Sequence, residues 1–245
     1  MKNRLKEILN LTNGIGKRVS DEIQVDFDNT RLKVAFDLLK KTACNINVLC
    51  EIDSVEKSET SKNIIYRSVF SDLMLLAFLQ HVNDNQFEHS LNVLNATHVK
   101  FMADALPMRL RLGRQIFNPG KGNNIKDINE IDLLDEYYDY FHEYISSEKG
   151  DKWIVKKYTP PKDFIFSGQT RQIYDYFEKC TEEVYRPLSH LYMYYRVLSQ
   201  TEHYSFIGKS FAFKGANEEK WYGEYNVFIE NSLELIGSLI ARNIK

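Results

Sequence analysis

The spacing of apolar residues constrains this chain more than any other feature. From about Asn29 to Val55, Leu32, Phe36, Leu39, Ala43, Ile46 and Cys50 recur every three or four residues, the period of a helix with one buried face. The Ser58 to Ser61 cluster supplies N-cap candidates for a second helix. There Ile64, Ile65, Val69, Leu73, Leu76 and Leu79 cover most of the circumference, which predicts a central position in a bundle. Phe87 to Leu106 repeats the pattern through Leu91, Leu94, His98 and Phe101, and is expected to stop at Pro107, whose ring disfavours the α conformation before it. Glycine and proline number only 11 and 5 in 245 residues, about half of average usage. Little interrupts helices.

Further along, Arg109, Arg111, Arg114, Lys121 and Lys126 lie in a stretch with Gly113, Pro119, Gly120 and Gly122 and no acid, which reads as a basic surface connection. The sign then inverts: Asp127 to Glu143 holds seven acids and no Lys or Arg, interleaved with aromatics, and predicts an acidic amphipathic helix. Lys152 to Lys162, with Pro160 and Pro161, reads as an extended linker. Two more helices are expected, at about Thr170 to His203 and Asn217 to Ile244. Pro187 should kink the first or sit in the first turn of a new helix. On it Leu188, Leu191, Tyr192, Tyr195 and Leu198 are read as one apolar stripe, and on the last helix Trp221, Tyr225, Phe228, Leu235 and Leu239 as another. The expected fold is an all-α helical bundle of six or seven helices, one domain over residues 1–245 with a candidate subdomain boundary near 150–165.

Charge and cysteine usage narrow the function classes. Lys plus Arg number 32 against 34 Asp plus Glu, a formal charge of −2, so a polyanion site must be local. Cys44, Cys50 and Cys180 form no CxxC pair, which fits a reducing compartment. The N-terminus, MKNRLKEILNL, alternates charge with Leu and Ile as an amphipathic helix does and a signal peptide does not. Leu73 to Leu79, the most apolar run, is seven residues long, against the roughly 20 that span a bilayer. The expectation is a cytoplasmic protein with no membrane association.

Several familiar motifs fail. Gly208-Lys209-Ser210 resembles a phosphate loop, but His203 stands where that loop needs its first glycine. No HExxH, GxSxG or recognisable Cys/His pairing occurs, and Asp132, Asp135, Glu136 and Asp139 read as a solvated acidic face instead of a magnesium site. Neither a metal nor a cofactor is expected.

What survives is the segment Tyr185 to His203. On a helix, Arg196, Ser199 and His203 fall within about 60° of one another. A guanidinium grips phosphate in a planar fork, and an imidazole gives and takes protons near neutrality. Together they suit attack of a ribose 2′-hydroxyl on its adjacent phosphodiester. Arg67, Ser68, Ser71 and Asp72 are a second polar intrusion, into the apolar helix from Ile64 to Leu79. Arg67 is expected to pair with Asp72 or with the C-terminal helix, as a buried structural arginine or as a phosphate-facing one. Arg109, Arg111, Arg114 and Lys209 are the remaining candidates for contact with nucleic acid.

At these residues the chain resembles a family of uncharacterised bacterial helical proteins, through Tyr66-Arg67-Ser68-Val69-Phe70 and Ser199-Gln200-Thr201-Glu202-His203. That family commonly places a glutamate one turn after the arginine, where this chain has Ser71 and, next to it, Asp72. Arg196, six intervening residues and His203 also resemble the Arg-x(4 to 6)-His signature of the HEPN superfamily, although Val197 replaces the polar residue that usually follows the arginine. The resemblance implies a HEPN-like core, dimerisation through the motif helices and, in active members, metal-independent RNA cleavage in toxin and phage-defence systems. The aromatic faces at Tyr185 to Tyr195 and Trp221 to Phe228 likewise point to a homodimer. The leading expectation is therefore a HEPN-like endoribonuclease acting on RNA, with Arg196 and His203 catalytic and Arg67, Asp72 and Ser199 in support. Its rivals are a catalytically silent module that binds nucleic acid or a protein partner, and a small-molecule pocket lined by Tyr192, Tyr194 and Tyr195.

Overall fold

A computed structural model describes residues 2–53, 55, 59–117, 141–149, 152–202 and 218–244. Seven α-helices occur among them: α1 (Lys2–Val25), α2 (Thr30–Ile52), α3 (Glu59–His81), α4 (Asp84–Phe117), α5 (Thr170–Glu178), α6 (His190–Glu202) and α7 (Glu218–Asn243). The chain is all-α, with one two-stranded sheet among the described residues, β1 (Ile145–Lys149) against β2 (Lys152–Val155). It divides into two compact units, one of Met1–Asn83 with Gln169–Lys245, the other Asp84–Gly168. Pro160 and Pro161 thus lie inside the second unit.

The first unit is a helical bundle around α3, which packs against α2, α6 and α7. Val69, Phe70, Leu73, Leu76 and Ala77 are fully buried, because apolar residues on most sides of this helix suit a central position. Leu32, Ala35, Leu39 and Ile46 on α2 and Ile229, Leu233 and Ile236 on α7 close over it, and α1 adds Leu5, Ile8 and Val19. Helix ends are tied by side chains. The Asn29 carboxamide oxygen accepts from the Leu32 amide at 3.1 Å and caps α2. Buried Arg31 donates to the carbonyls of Leu79 and Val82, and Asn243 Nδ2 donates to that of Gln80 at 2.9 Å. The carbonyls at the end of α3, which have no partner within the helix, are satisfied from both α2 and α7.

Pro187 falls in a 3-10 turn, Glu183–Ser189, and α6 begins after it at His190. The interruption expected at Pro187 thus takes the form of this turn, with α5 before it and α6 after it. The apolar stripe on α6 is also narrower than its sequence suggested. Leu191 and Leu198 are buried, and Tyr194 packs on Phe70, Tyr225 and Phe228 at centroid distances of 5.3, 5.4 and 5.0 Å. Tyr192 and Tyr195 lie on the flank of that face, half-buried. On α7, Trp221 is 40% exposed and stands outside the core that Tyr225 and Leu239 enter.

In the second unit, α4 passes through Pro107 and ends at Phe117. A proline inside a helix loses one backbone bond and crowds the preceding turn, at about 3 kcal/mol. Good helix formers on both sides, Ala103 to Leu106 and Met108 to Leu112, favour continuation. Arg109, Arg111 and Arg114 accordingly belong to a helix and not to the connection expected for them. The buried face of α4 is Phe87, His89, Ser90, Ala96 and Val99, while Phe101 is 67% exposed and His98 is exposed. Small Ser90 and Ala96 sit inward, a choice that a count of large apolar residues misses. β1 and β2 pair antiparallel, Ser147 opposite Ile154 and Lys149 opposite Lys152, so part of the expected linker is a strand. Gly168 has φ +84, which favours glycine, and its α-carbon faces Thr97 and Val93 of α4. Most of the acidic segment 127–143 lies outside the described residues; its end is a 3-10 turn, His142–Tyr144.

Candidate nucleic-acid interface

The polar intrusion on α3 splits in two. Asp72 is 5% exposed and faces α2, where Lys41 Nζ is 2.7 Å from Oδ1. Asn45 Nδ2 donates to Ser68 Oγ at 3.1 Å and reaches Asp72 Oδ2 at 3.5 Å. Burial pushes the Asp72 carboxyl above its ordinary value, and the Lys41 ammonium partly opposes this. Arg67 turns the other way. Its Nη2 donates to the Tyr195 hydroxyl at 3.3 Å, and its guanidinium carbon lies 5.1 Å from the centre of that ring. The expected Arg67–Asp72 pairing is not formed, because residues five apart on an α-helix point about 140° apart. Arg67 is half-buried, and its partner is Tyr195 of α6 in place of Asp72.

On α6, Arg196 is exposed and Ser199 is half-buried. Both therefore sit outside the core. His203, the other half of the expected catalytic pair, lies outside the described residues, as does Lys209. The side chains of Arg109, Arg111 and Arg114 also lie outside them. The structure thus brings Arg67 and Tyr195 together beside α6, gives Arg196 to solvent, and sends Asp72 to α2.

Sequence reasoning missed the residues that extend this face. Helix α5 buries Ile173 and Phe177 and turns Arg171 and Tyr174 outward. The Arg171 guanidinium lies 4.7 Å from the Tyr174 ring and 5.8 Å from the Tyr192 ring. Tyr174 and Tyr192 are 5.3 Å apart, and Tyr192 and Tyr195 6.2 Å apart with planes at 26°. The i, i+3 pairs Arg171/Tyr174 and Tyr192/Tyr195 are visible in the sequence. That α5 and α6 lie side by side is not.

A second cluster also escaped. His81 Nδ1 meets the Tyr176 hydroxyl at 2.7 Å, while Nε2 is 3.3 Å from Glu182 Oε1 and 3.6 Å from Cys180 Sγ. Glu182 in turn binds Arg242 at 2.8 Å. Burial raises the Tyr176 hydroxyl to about 12, and Glu182, which can only accept, faces Nε2. In the neutral ring the proton on Nε2 suits that carboxylate, which leaves Nδ1 to accept from the Tyr176 hydroxyl. Burial lowers the His81 pKa and outweighs the pull of Glu182. The cluster joins the ends of α3, α5 and α7. Among the described residues no group of three or more His, Cys, Asp or Glu is arranged to hold a metal ion. Nor is any described helix long and apolar enough to cross a membrane.

Comparison with known protein families, with curated proteins and with solved structures returned no match to this chain. The HEPN resemblance therefore rests on Arg196 and His203 with the six residues between them.

Proposed function

We propose that the protein binds RNA through the face built by α3 and α6, as a HEPN-like helical module. The observation that carries this reading is Arg196, solvent-exposed on α6 next to Tyr195, which holds Arg67. The Arg67 guanidinium on the Tyr195 ring, with exposed Arg196 one residue further along α6, offers planar donors for phosphate and a ring for a base. With a net charge of −2, attraction to a polyanion has to come from such a local group.

Cleavage is the second reading, favoured by the exposure of Arg196 and by Ser199 on the same helix. In it Arg196 stabilises charge on the scissile phosphate and His203 transfers the proton of the 2′-hydroxyl. The products would carry 2′,3′-cyclic phosphate, and the toxin or phage-defence setting and the homodimer come with the resemblance. The test is incubation of purified protein with single-stranded RNA in chelator. Cleavage that His203→Ala slows by roughly 10² to 10⁴ supports the enzyme. Binding without cleavage supports the silent RNA-binding module, and neither activity removes both readings.

A further inference from the structure

Along the same face, Arg171, Tyr174, Tyr192, Tyr195 and Arg67 form an unbroken series of ring and guanidinium contacts from α5 across α6 to α3. All three rings are half-buried. The tyrosines of the core differ: Tyr66, Tyr185, Tyr222 and Tyr225 are buried, and Tyr66 and Tyr222 donate to Asn226 and Asn63. Its spacing varies along the face: Arg171 lies 4.7 Å from the Tyr174 ring and Tyr174 5.3 Å from Tyr192. Tyr192 and Tyr195, 6.2 Å apart, sit toward the far end of the roughly 4.5–7 Å range over which aromatic pairs interact. Arg171 reaches Tyr192 at 5.8 Å, close to the roughly 6 Å limit for a cation on a ring.

We infer that Tyr174, Tyr192 and Tyr195 are a stacking track for the bases of single-stranded RNA, with Arg171 and Arg67 contacting its phosphates. The inference rests on the RNA reading above and specifies its substrate. Every base has a π face, so such a track takes many sequences, but a base already stacked and paired in a duplex cannot use it. Two acids border the track: Asp175, 3.0 Å from Arg171 Nε, and Glu178, whose carboxylate helps hold the Tyr174 hydroxyl above its ordinary pKa. They temper the positive charge, so stacking carries most of the affinity. With three arginines on the face, Arg67, Arg171 and Arg196, the slope of log affinity against log salt should be about −2 or shallower.

The experiment uses the full chain, a labelled single-stranded oligoribonucleotide and the same strand in a duplex. Expected are preference for the single strand, a loss of roughly fivefold to a hundredfold in Tyr192→Ala/Tyr195→Ala, and near-parental affinity in Tyr192→Phe/Tyr195→Phe, which keeps both rings. Because the alanine variant removes half-buried rings, the parent is also cross-linked to 4-thiouridine RNA and the adducts mapped by mass spectrometry. Adducts on Tyr174, Tyr192 or Tyr195 support the track. Single-strand binding that Arg196→Ala weakens, with adducts elsewhere and no effect of the alanine changes, overturns the track and leaves RNA binding standing. Preference for the duplex overturns the track as well. No binding of either RNA removes the RNA reading and the track with it.

Discussion

Arg67 donates to the Tyr195 hydroxyl at 3.3 Å while its guanidinium lies 5.1 Å over that ring, so one side chain links α3 to α6 by a hydrogen bond and a cation–π contact. Both are part-exposed, which limits their worth to about 0.5–1 kcal/mol for the cation–π contact. Arg67→Ala should therefore cost about 1 kcal/mol in urea unfolding, with a larger proportional loss in RNA affinity. Tyr195→Phe, which removes only the hydroxyl, should change RNA affinity little. Equal loss in both variants would assign the pair to packing alone.

Asp72 supplies a pH test. Burial raises its folded-state pKa above the ordinary 3.8, so the folded protein binds the proton more tightly than the unfolded chain. The stabilisation is complete below the unfolded value and is lost as pH rises through the folded one. Asp72→Asn removes this dependence. Relative to that variant, the parent should gain in melting temperature as pH falls toward 3.8. A parent that loses ground over that window would show that the Lys41 ion pair dominates after all.

His81 behaves oppositely. Its folded pKa is lowered by burial, so the unfolded chain takes up the proton first, beginning around the ordinary 6.5. Stability from the neutral imidazole is present above that value and falls as pH drops below it. Glu182 and Arg242 face the ring side by side, and Tyr176 and Cys180 complete its surroundings. Melting curves across 6.5 should show this loss in the parent and less of it in His81→Gln. A stability gain on acidification would mean that protonated His81 pairs with Glu182 strongly enough to reverse the shift.

The core and the face should separate cleanly on mutation. Phe70 is fully buried against Tyr194 and Tyr225, so Phe70→Ala should cost about 3–5 kcal/mol. Exposed Arg196→Ala should stay within about 0.5 kcal/mol. Denaturant titrations of the two variants measure the difference directly.

The helices were legible in the sequence because three- and four-residue apolar spacing is a local property. It places α2 and α3 within a few residues of their ends and identifies α3 as central. Tertiary choices were less legible. Pro107 lies inside α4 because the helix formers around it outweigh its local cost, and Ser90 and Ala96 face inward because small residues pack closely. In the candidate site, Arg67, Asp72, Ser199 and Arg196 were picked out as polar residues on apolar helices. Their partners were not, since Lys41, Asn45 and Tyr195 meet them only after α2, α3 and α6 assemble. Arg171 and Tyr174 look like ordinary surface residues until α5 lies beside α6.

If Arg196 and its neighbours hold RNA, fluorescence anisotropy with a labelled single-stranded RNA reads that binding in solution. Saturable binding by the parent is predicted, weakening as salt rises and weakened further by Arg196→Ala at unchanged melting temperature. An absence of binding, or affinity that Arg196→Ala leaves untouched, would contradict it.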